Sequence, residues 1–309
     1  MKRPATWPRL PSPARLRAGT PGLAAALLLL ACAMPAIDLR RDAVDVVVVF
    51  DITQSMDVQD VELDSVRTSR LAFARESARR ALRTLPCGSR VGWAVFTEYR
   101  TLMLLAPIEV CGNYGDLLST LAHVDGRIRW GNASEISKGV FWAMRAAREL
   151  AGKPALVFVT DGQESPPLGE SGAPMFDDLA PGQVHGWLVG VGGKLPMPIP
   201  RSDAEGRAAG WWRAQDVIQR PPIAGRPPSH EHLSELREGH LRALASQVGF
   251  DYAPLTDAST LARLMHDPRL ARRAAVPTDG SWLPALLALV LLAWHFRPQA
   301  RPLSRTSGT

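Results

Sequence analysis

Residues Val44 to Phe50, VDVVVVF, form an almost unbroken β-branched run with no apolar–polar alternation. A strand that is apolar on both faces belongs inside a parallel sheet covered on each side. It ends at Asp51. From about Thr68 to Leu85 the period changes, and Leu71, Ala74, Ala78, Leu82 and Leu85 fall on one face of a helix. Two strand-like runs follow, Arg90 to Phe96 and Thr101 to Ala106, joined by a short turn over Thr97 to Arg100 that predicts a hairpin. A short helix is predicted near Tyr114 to Leu121. A longer one, from about Ser134 to Leu150, carries Ile136, Val140, Met144 and Ala147 on one stripe. Buried strands are predicted at Ala155 to Thr160, running into Asp161, and at Gln183 to Val191, running into Gly192-Gly193. The pattern closes with a helix from about Glu231 to Val248, a strand Phe250 to Ala253 and a helix Ala258 to His266. Strand and helix alternate with one hairpin inserted, which predicts an α/β fold: a doubly wound, mostly parallel sheet with one antiparallel edge strand.

Two kinds of segment depart from that alternation. Between Lys194 and Ser229 there are seven prolines, a Gly-Trp-Trp at 210 to 212 and no periodicity, which reads as an insertion that makes an excursion from the domain, a small hairpin and a loop. At either end of the chain lies an uncharged apolar stretch, residues 21–37 and residues 281–296. Each is near the lower limit of the roughly 17 to 25 residues that span a bilayer, so each is expected to be a transmembrane helix. Trp282 and Trp294 bracket the second as interfacial anchors would. For the first, an uncut anchor competes with a signal peptide cut after Ala31-Cys32-Ala33 and with a lipoprotein processing site at Leu-Leu-Ala-Cys32.

Charge orients these stretches. The chain of 309 residues carries a net charge of +6, but residues 1–20 hold five basic side chains and residues 297–309 three, with no acid in either tail. The remaining body is near −2, which excludes a nucleic-acid binder on charge. With both tails basic, the positive-inside rule places both ends in the cytoplasm and the body, residues 42–266, in a periplasm, although Arg40, Arg41, Arg269, Arg272 and Arg273 lie on the opposite flanks. Cys87 and Cys111 each lie twelve residues from Tyr99, opposite one another if the hairpin is centred there. A bond between them would form outside the cytosol and contribute about 3 kcal/mol.

Candidate chemistry gathers where two buried strands end. In an open parallel sheet, ligands bind outside the carboxyl ends of strands near the switch in strand order. Asp51 opens Asp-Ile-Thr-Gln-Ser, so Asp51, Thr53 and Ser55 present oxygens at alternate positions of one loop, and Asp161 lies between Thr160 and Gly162. Oxygen donors without His or Cys suit a hard cation, Mg²⁺ first, with Mn²⁺ or Ca²⁺ as the other candidates.

These two loops resemble the von Willebrand factor A (VWA) domain and its metal-ion-dependent adhesion site, matched at Asp51-Ile52-Thr53-Gln54-Ser55 and at Thr160-Asp161-Gly162. The resemblance covers residues 42–266 apart from the insertion. Ser134, at the head of its helix, stands where the family has a threonine, and Asn132 is a nearby oxygen donor. The resemblance implies that Asp51, Ser55 and Ser134 bind the metal directly and that Thr53 and Asp161 bind it directly or through water. It also implies a vacant coordination position that a Glu or Asp of a protein partner fills, so the module is a socket and not an enzyme. The flanking apolar stretches narrow the likeness to bacterial membrane-anchored members, among them Bat-type aerotolerance proteins and the methanol-oxidation accessory proteins encoded near MoxR-type AAA ATPases. A role in assembly or maturation of a periplasmic or membrane enzyme complex, of methanol dehydrogenase type, is implied on that likeness, with a Bat-type envelope stress factor as the alternative.

Two other readings carry less weight. A Mg²⁺-dependent phosphohydrolase needs a second aspartate two residues after the nucleophile, and Thr53 occupies that position. His230, His232 and His240 have no standard zinc spacing. With no Walker sequence or dinucleotide-binding glycine run, any nucleotide-driven step falls to a partner.

Overall fold

The computed structural model describes residues 19–169, 180–203, 205–220 and 230–297. The expected tails lie almost entirely outside those residues, as do residues 221–229 of the Pro-rich stretch. The chain divides into two compact units, Arg41–Ala274 and a smaller one formed by the segments Met1–Arg40 and Ala275–Thr309.

A hairpin of β2 (Val61–Leu63) and β3 (Val66–Thr68) stands apart from the main sheet, at whose centre the VDVVVVF run forms part of β1 (Ile37–Asp51). Its neighbours are β4 (Arg90–Thr97) and β6 (Ala155–Thr160), with β7 (Gly186–Gly190) and β12 (Asp251–Pro254) beyond β6. These pairings are parallel, while β5 (Arg100–Glu109) runs antiparallel to β4 at the edge. β13 (Ala271–Thr278) also pairs with β1. The doubly wound, mostly parallel sheet with one antiparallel edge is thus observed. Alternate residues of β1 feed two cores. Val46, Val48 and Phe50 pack with Leu71, Ala74, Ala78 and Leu82 of α2 (Arg70–Leu82), with Leu117 and Leu121 of α3 (Tyr114–Ala122), and with Leu261 of α6 (Thr260–Met265). Val47 and Val49 pack with Val140 and Met144 of α4 (Ile136–Glu149) and Leu241 of α5 (Glu238–Val248).

Two elements differ from expectation. The helix predicted from Glu231 begins only at Glu238, because Leu233–Ser234 forms a short strand, β11, against β8 (Met197–Pro198), and Arg237 N donates to Asp161 O at 2.8 Å. The strand predicted from Gln183 begins at Gly186.

The hairpin brings Cys87 and Cys111 together as a disulfide, with Cα atoms 5.3 Å apart and 24 residues of sequence separation. A bulge between Val91 and Trp93 shifts the register on the way down the ladder. Reduction, or a double Cys87→Ser/Cys111→Ser variant, is expected to cost about 3 kcal/mol by loop entropy and to lower Tm by about 10 °C in a thermal melt. An unchanged Tm would show that the denatured chain gains nothing from the bridge.

In the smaller unit, α1 (Thr20–Ala33) packs antiparallel on α7 (Trp282–His295), with Thr20 Oγ1 and His295 Nδ1 2.8 Å apart at one end. Small or compact residues, Ala24, Pro284 and Ala288, are buried between them, as close helix approach requires. Leu29, Leu287, Leu289 and Trp282 are exposed. The expectation of full spans over 21–37 and 281–296 is corrected here. Each helix has 14 residues, about 21 Å at 1.5 Å per residue, against about 30 Å of hydrocarbon. No helix among the described residues is long and apolar enough to cross a membrane. The physical reason in α1 is Pro35, which disfavours helical geometry at the preceding residue, and Met34 is extended at ψ 121°.

Candidate metal centre

Asp51 ends β1 and Asp161 follows the last residue of the adjacent β6, so the two carboxylates emerge at the point where the order of strands reverses. Both are fully buried. After Asp51 the chain turns back on itself: Thr53 N and Thr53 Oγ1 donate to Asp51 Oδ1 at 2.9 and 2.7 Å. Thr160 Oγ1 donates to Asp51 Oδ2 at 2.6 Å. A 3₁₀ turn over Gln54–Asp57 then brings Ser55 Oγ within 3.2 Å of Thr53 Oγ1. Gly162, at φ 82°, makes the tight turn its position suggests, and a Cβ there would lie 3.0 Å from Leu241 Cγ.

Ser134 joins this rim from the loop before α4. Its backbone pairs with Ser165 at 2.7 and 2.8 Å, while its Oγ is buried with no hydrogen-bond partner among the described residues. A buried hydroxyl left unsatisfied costs about 1 to 3 kcal/mol, so an orphan lining the same cavity as Thr53 and Ser55 fits a site that takes a ligand. The helix behind it is capped from afar. Glu164 accepts from Ile136 N at 3.0 Å, Ser137 N at 3.2 Å and Ser137 Oγ at 2.9 Å, which places a carboxylate on the positive end of α4. His240 Nε2 lies 3.0 Å from Glu164 Oε1, so this histidine is engaged away from His230 and His232.

Asp161 is held differently from Asp51. Arg70 Nη1 donates to its Oδ2 at 2.6 Å and Ser234 Oγ donates to the same oxygen at 3.0 Å, while Gln163 N donates to Oδ1 at 2.9 Å. Arg70, the first residue of α2, is fully buried and also clamps Asp60 through Nε at 2.9 Å and Nη2 at 2.5 Å. Burial works to lower the Arg70 pKa, but the hydrogen bonds and charges of Asp60 and Asp161 outweigh it and raise it. Three carboxyl groups, Asp51, Asp60 and Asp161, thus stand against a single guanidinium. Burial first, and the neighbouring Asp161 second, push Asp51 up to about 7. An all-oxygen rim, an orphaned hydroxyl and carboxyl groups in excess of their guanidinium together fit a hard divalent cation.

The Pro-rich insertion does not leave the domain. β9 (Pro200–Ser202) pairs with β10 (Ala208–Trp211), and the hairpin is fastened to the loop after Asp51 through Gln54. Gln54 Oε1 accepts from Trp212 Nε1 at 2.7 Å and Ser202 N at 3.3 Å, and Gln54 Nε2 donates to Asn132 Oδ1 at 2.9 Å. Asn132 is therefore spent on the clamp. The result is a cavity of about 250 Å³ in which Thr53, Ser55 and Ser134 meet Ile199, Trp212 and Ile218. The adjacent tryptophans divide their roles: Trp212 is anchored on Gln54, whereas Trp211 is 59% exposed. Sequence reading missed Arg70, Asp60, Gln54 and Glu164. Of these only Arg70 left a local signal, a charged residue one turn before Ala74 on the apolar stripe of α2.

No family model and no curated protein matches the chain. Among solved structures, BatB from Bacteroides thetaiotaomicron matches with a TM-score of 0.52 at 19% identity, over 74% of this chain and 97% of that one. The fold is VWA-like, of the kind found in BatB. An aerotolerance-related membrane protein from Bacteroides fragilis gives a TM-score of 0.49 at 18% identity, over 74% of this chain and 99% of that one. A von Willebrand factor type A structure from Catenulispora acidiphila gives 0.42 at 13% identity, over 79% of this chain and 42% of that one.

Proposed function

We propose that this chain is a membrane-associated VWA module that binds a divalent cation, Mg²⁺ in the first place, and through it an acidic side chain of a protein partner. The carrying observation is the buried Ser134 Oγ, without a partner among the described residues, on a rim whose carboxyl groups outnumber their guanidinium. Asp51, Ser55 and Ser134 would hold the ion, with Thr53 and Asp161 direct or one water removed. The cation supplies charge compensation and a site for a carboxylate. The rest falls to the chain itself: Thr53 and Thr160 orient Asp51, Arg70 fixes Asp161, and Gln54 fixes the loop. A socket suits this arrangement better than a phosphohydrolase, because the residue two positions after Asp51 is a threonine whose hydroxyl is committed to Asp51 Oδ1. The exposed leucines and tryptophans of α1 and α7 suit a lipid surface, and the disulfide suits a periplasmic location. Work in envelope complexes, as a Bat-type factor or as a maturation factor acting with a MoxR-type ATPase, follows from that placement. The Bat-type reading is the one favoured by the likeness to BatB.

Titration of the full chain with MgCl₂ and MnCl₂ by calorimetry tests the cation, and pH sets its sign. With Asp51 at about 7, its folded-state pKa lies above the ordinary value of 3.8, so the folded, metal-free protein holds a proton that the unfolded chain releases. Stability without metal therefore falls as pH rises from about 4 to about 7, while metal, which needs the carboxylate, binds more tightly. Affinity at pH 8 is expected to exceed that at pH 6 by about tenfold. Absence of binding at pH 8, or affinity flat between the two values, would count against the site.

A further inference from the structure

At the opposite edge of the sheet from Asp51, around the first residues of β6 and β7, lies a second cavity, of about 280 Å³. Its lining is basic, with Arg148, Lys153, His185, Arg269 and Arg272 facing a single carboxylate, Asp45 of β1. Asp45 is only 4% exposed, and its Oδ1 is buried without a hydrogen-bond partner among the described residues. The other oxygen has only long contacts, 3.4 Å to Arg90 Nη1 and 3.6 Å to Arg272 Nε. Burial pushes the Asp45 carboxyl up, against the pull of Arg90 and Arg272. Gly152, at φ 87°, keeps space open beside it, since a Cβ there would come within 2.7 Å of Asp45 Oδ2. Arg269 is already engaged by Asp251 and Asp267 at 2.6 Å each, so Lys153 and Arg272 carry the charge least compensated around the cavity.

A buried, poorly satisfied carboxylate inside a basic lining selects a ligand with two chemistries. An anionic group answers the lysine and arginines, and a hydroxyl donates to Asp45 Oδ2, the oxygen beside Gly152 with long contacts to Arg90 and Arg272. A bare anion meets repulsion from Asp45, and a bare cation meets it from the guanidinium groups beside Asp45. A volume just under the usual 300 Å³ lower bound of drug-sized sites suits a small molecule or a headgroup.

We infer that this cavity binds a phosphate ester carrying a free hydroxyl, a phosphoglycerol-type group. Two sources share that chemistry, free glycerol phosphate and the headgroup of phosphatidylglycerol. The lipid has one point in its favour along the chain: Asp45 follows the end of apolar α1 by twelve residues, and Arg272 precedes the start of apolar α7 by ten.

Calorimetry on the full chain in a neutral detergent tests the site, with a chelator present to keep phosphate from being read at Asp51. sn-Glycerol 3-phosphate is expected to bind about tenfold more tightly than inorganic phosphate, the value of one buried hydrogen bond to a charged acceptor. Asp45→Ala should erase that preference and at the same time tighten inorganic phosphate, because the repelling carboxylate is gone. Lys153→Gln, a surface change that leaves the fold alone, should weaken both ligands severalfold. Phosphatidylglycerol displacing glycerol phosphate, where phosphatidylcholine does not, supports the site with the lipid as its source. Glycerol phosphate binding without displacement supports it with the free ester. Equal affinity for glycerol phosphate and inorganic phosphate in the unaltered chain, no binding of either, or a preference that survives Asp45→Ala overturns the inference.

Discussion

Replacing Asp51 by asparagine is expected to abolish divalent-cation binding while leaving the metal-free module at least as stable as before. Both halves come from the same burial. Asp51 is fully enclosed, its oxygens accept from Thr53 and Thr160, and its pKa stands near 7 because burial and Asp161 oppose its charge. An amide removes the charge that is costly to bury, keeps one oxygen for Thr53 and turns its NH₂ to Thr160 Oγ1, which can accept, so the apo fold loses little at pH 8. The cation loses its one full-charge ligand at the head of the loop. Changes one shell further out in metal sites already cost about 10- to 100-fold in affinity, so a loss beyond about 100-fold is expected here. At a cation concentration 100 times the dissociation constant, the unaltered protein should gain about 2.7 kcal/mol on binding, and the variant under about 0.5 kcal/mol at the same concentration. Thermal melts with and without MgCl₂ read this directly. An equal upward shift of Tm in both proteins would place the cation somewhere other than Asp51.

What the chain discloses in advance depends on whether a feature is local. The β1 run is legible because burial on both faces removes alternation, and the position of Asp51 at its end then follows from sheet chemistry alone. Asp161 is legible for the same reason at the end of β6, and the Cys87 and Cys111 pair is legible because a hairpin fixes its own register. The supports of the site are not. Arg70 meets Asp60 ten residues away and Asp161 ninety-one residues away, and Gln54 meets Trp212 across 158 positions. Such pairings leave no period in the sequence and appear only once the topology has placed their elements together. The Pro-rich insertion shows the same limit. Its composition marks it as irregular, yet its seat on the loop after Asp51 is decided by the Gln54 clamp. The apolar ends erred in the other direction, since hydropathy counts residues without registering that Pro35 stops a helix at Ala33.

Arg70→Met is expected to be the most destabilising single change in the module, at about 3 to 5 kcal/mol. The side chain it replaces is fully buried, and it is the sole guanidinium bonded to both Asp60 and Asp161 among the described residues. Methionine fills much of the volume, so the loss is not a cavity effect. It is the cost of two carboxylates left in low dielectric with their cation gone. In a unit of this size that loss corresponds to a fall in Tm of roughly 10 °C or more. Two companions separate charge from packing. Arg70→Lys keeps the charge but not the fork that spans both partners, and should fall between the two proteins. Asp60→Asn added to Arg70→Met should recover part of the loss, because one of the stranded charges is then neutral. If Asp60→Asn gave no recovery, the role of Arg70 would be one of shape, and the excess of carboxyl groups over their guanidinium would lose its weight in the argument for a divalent cation.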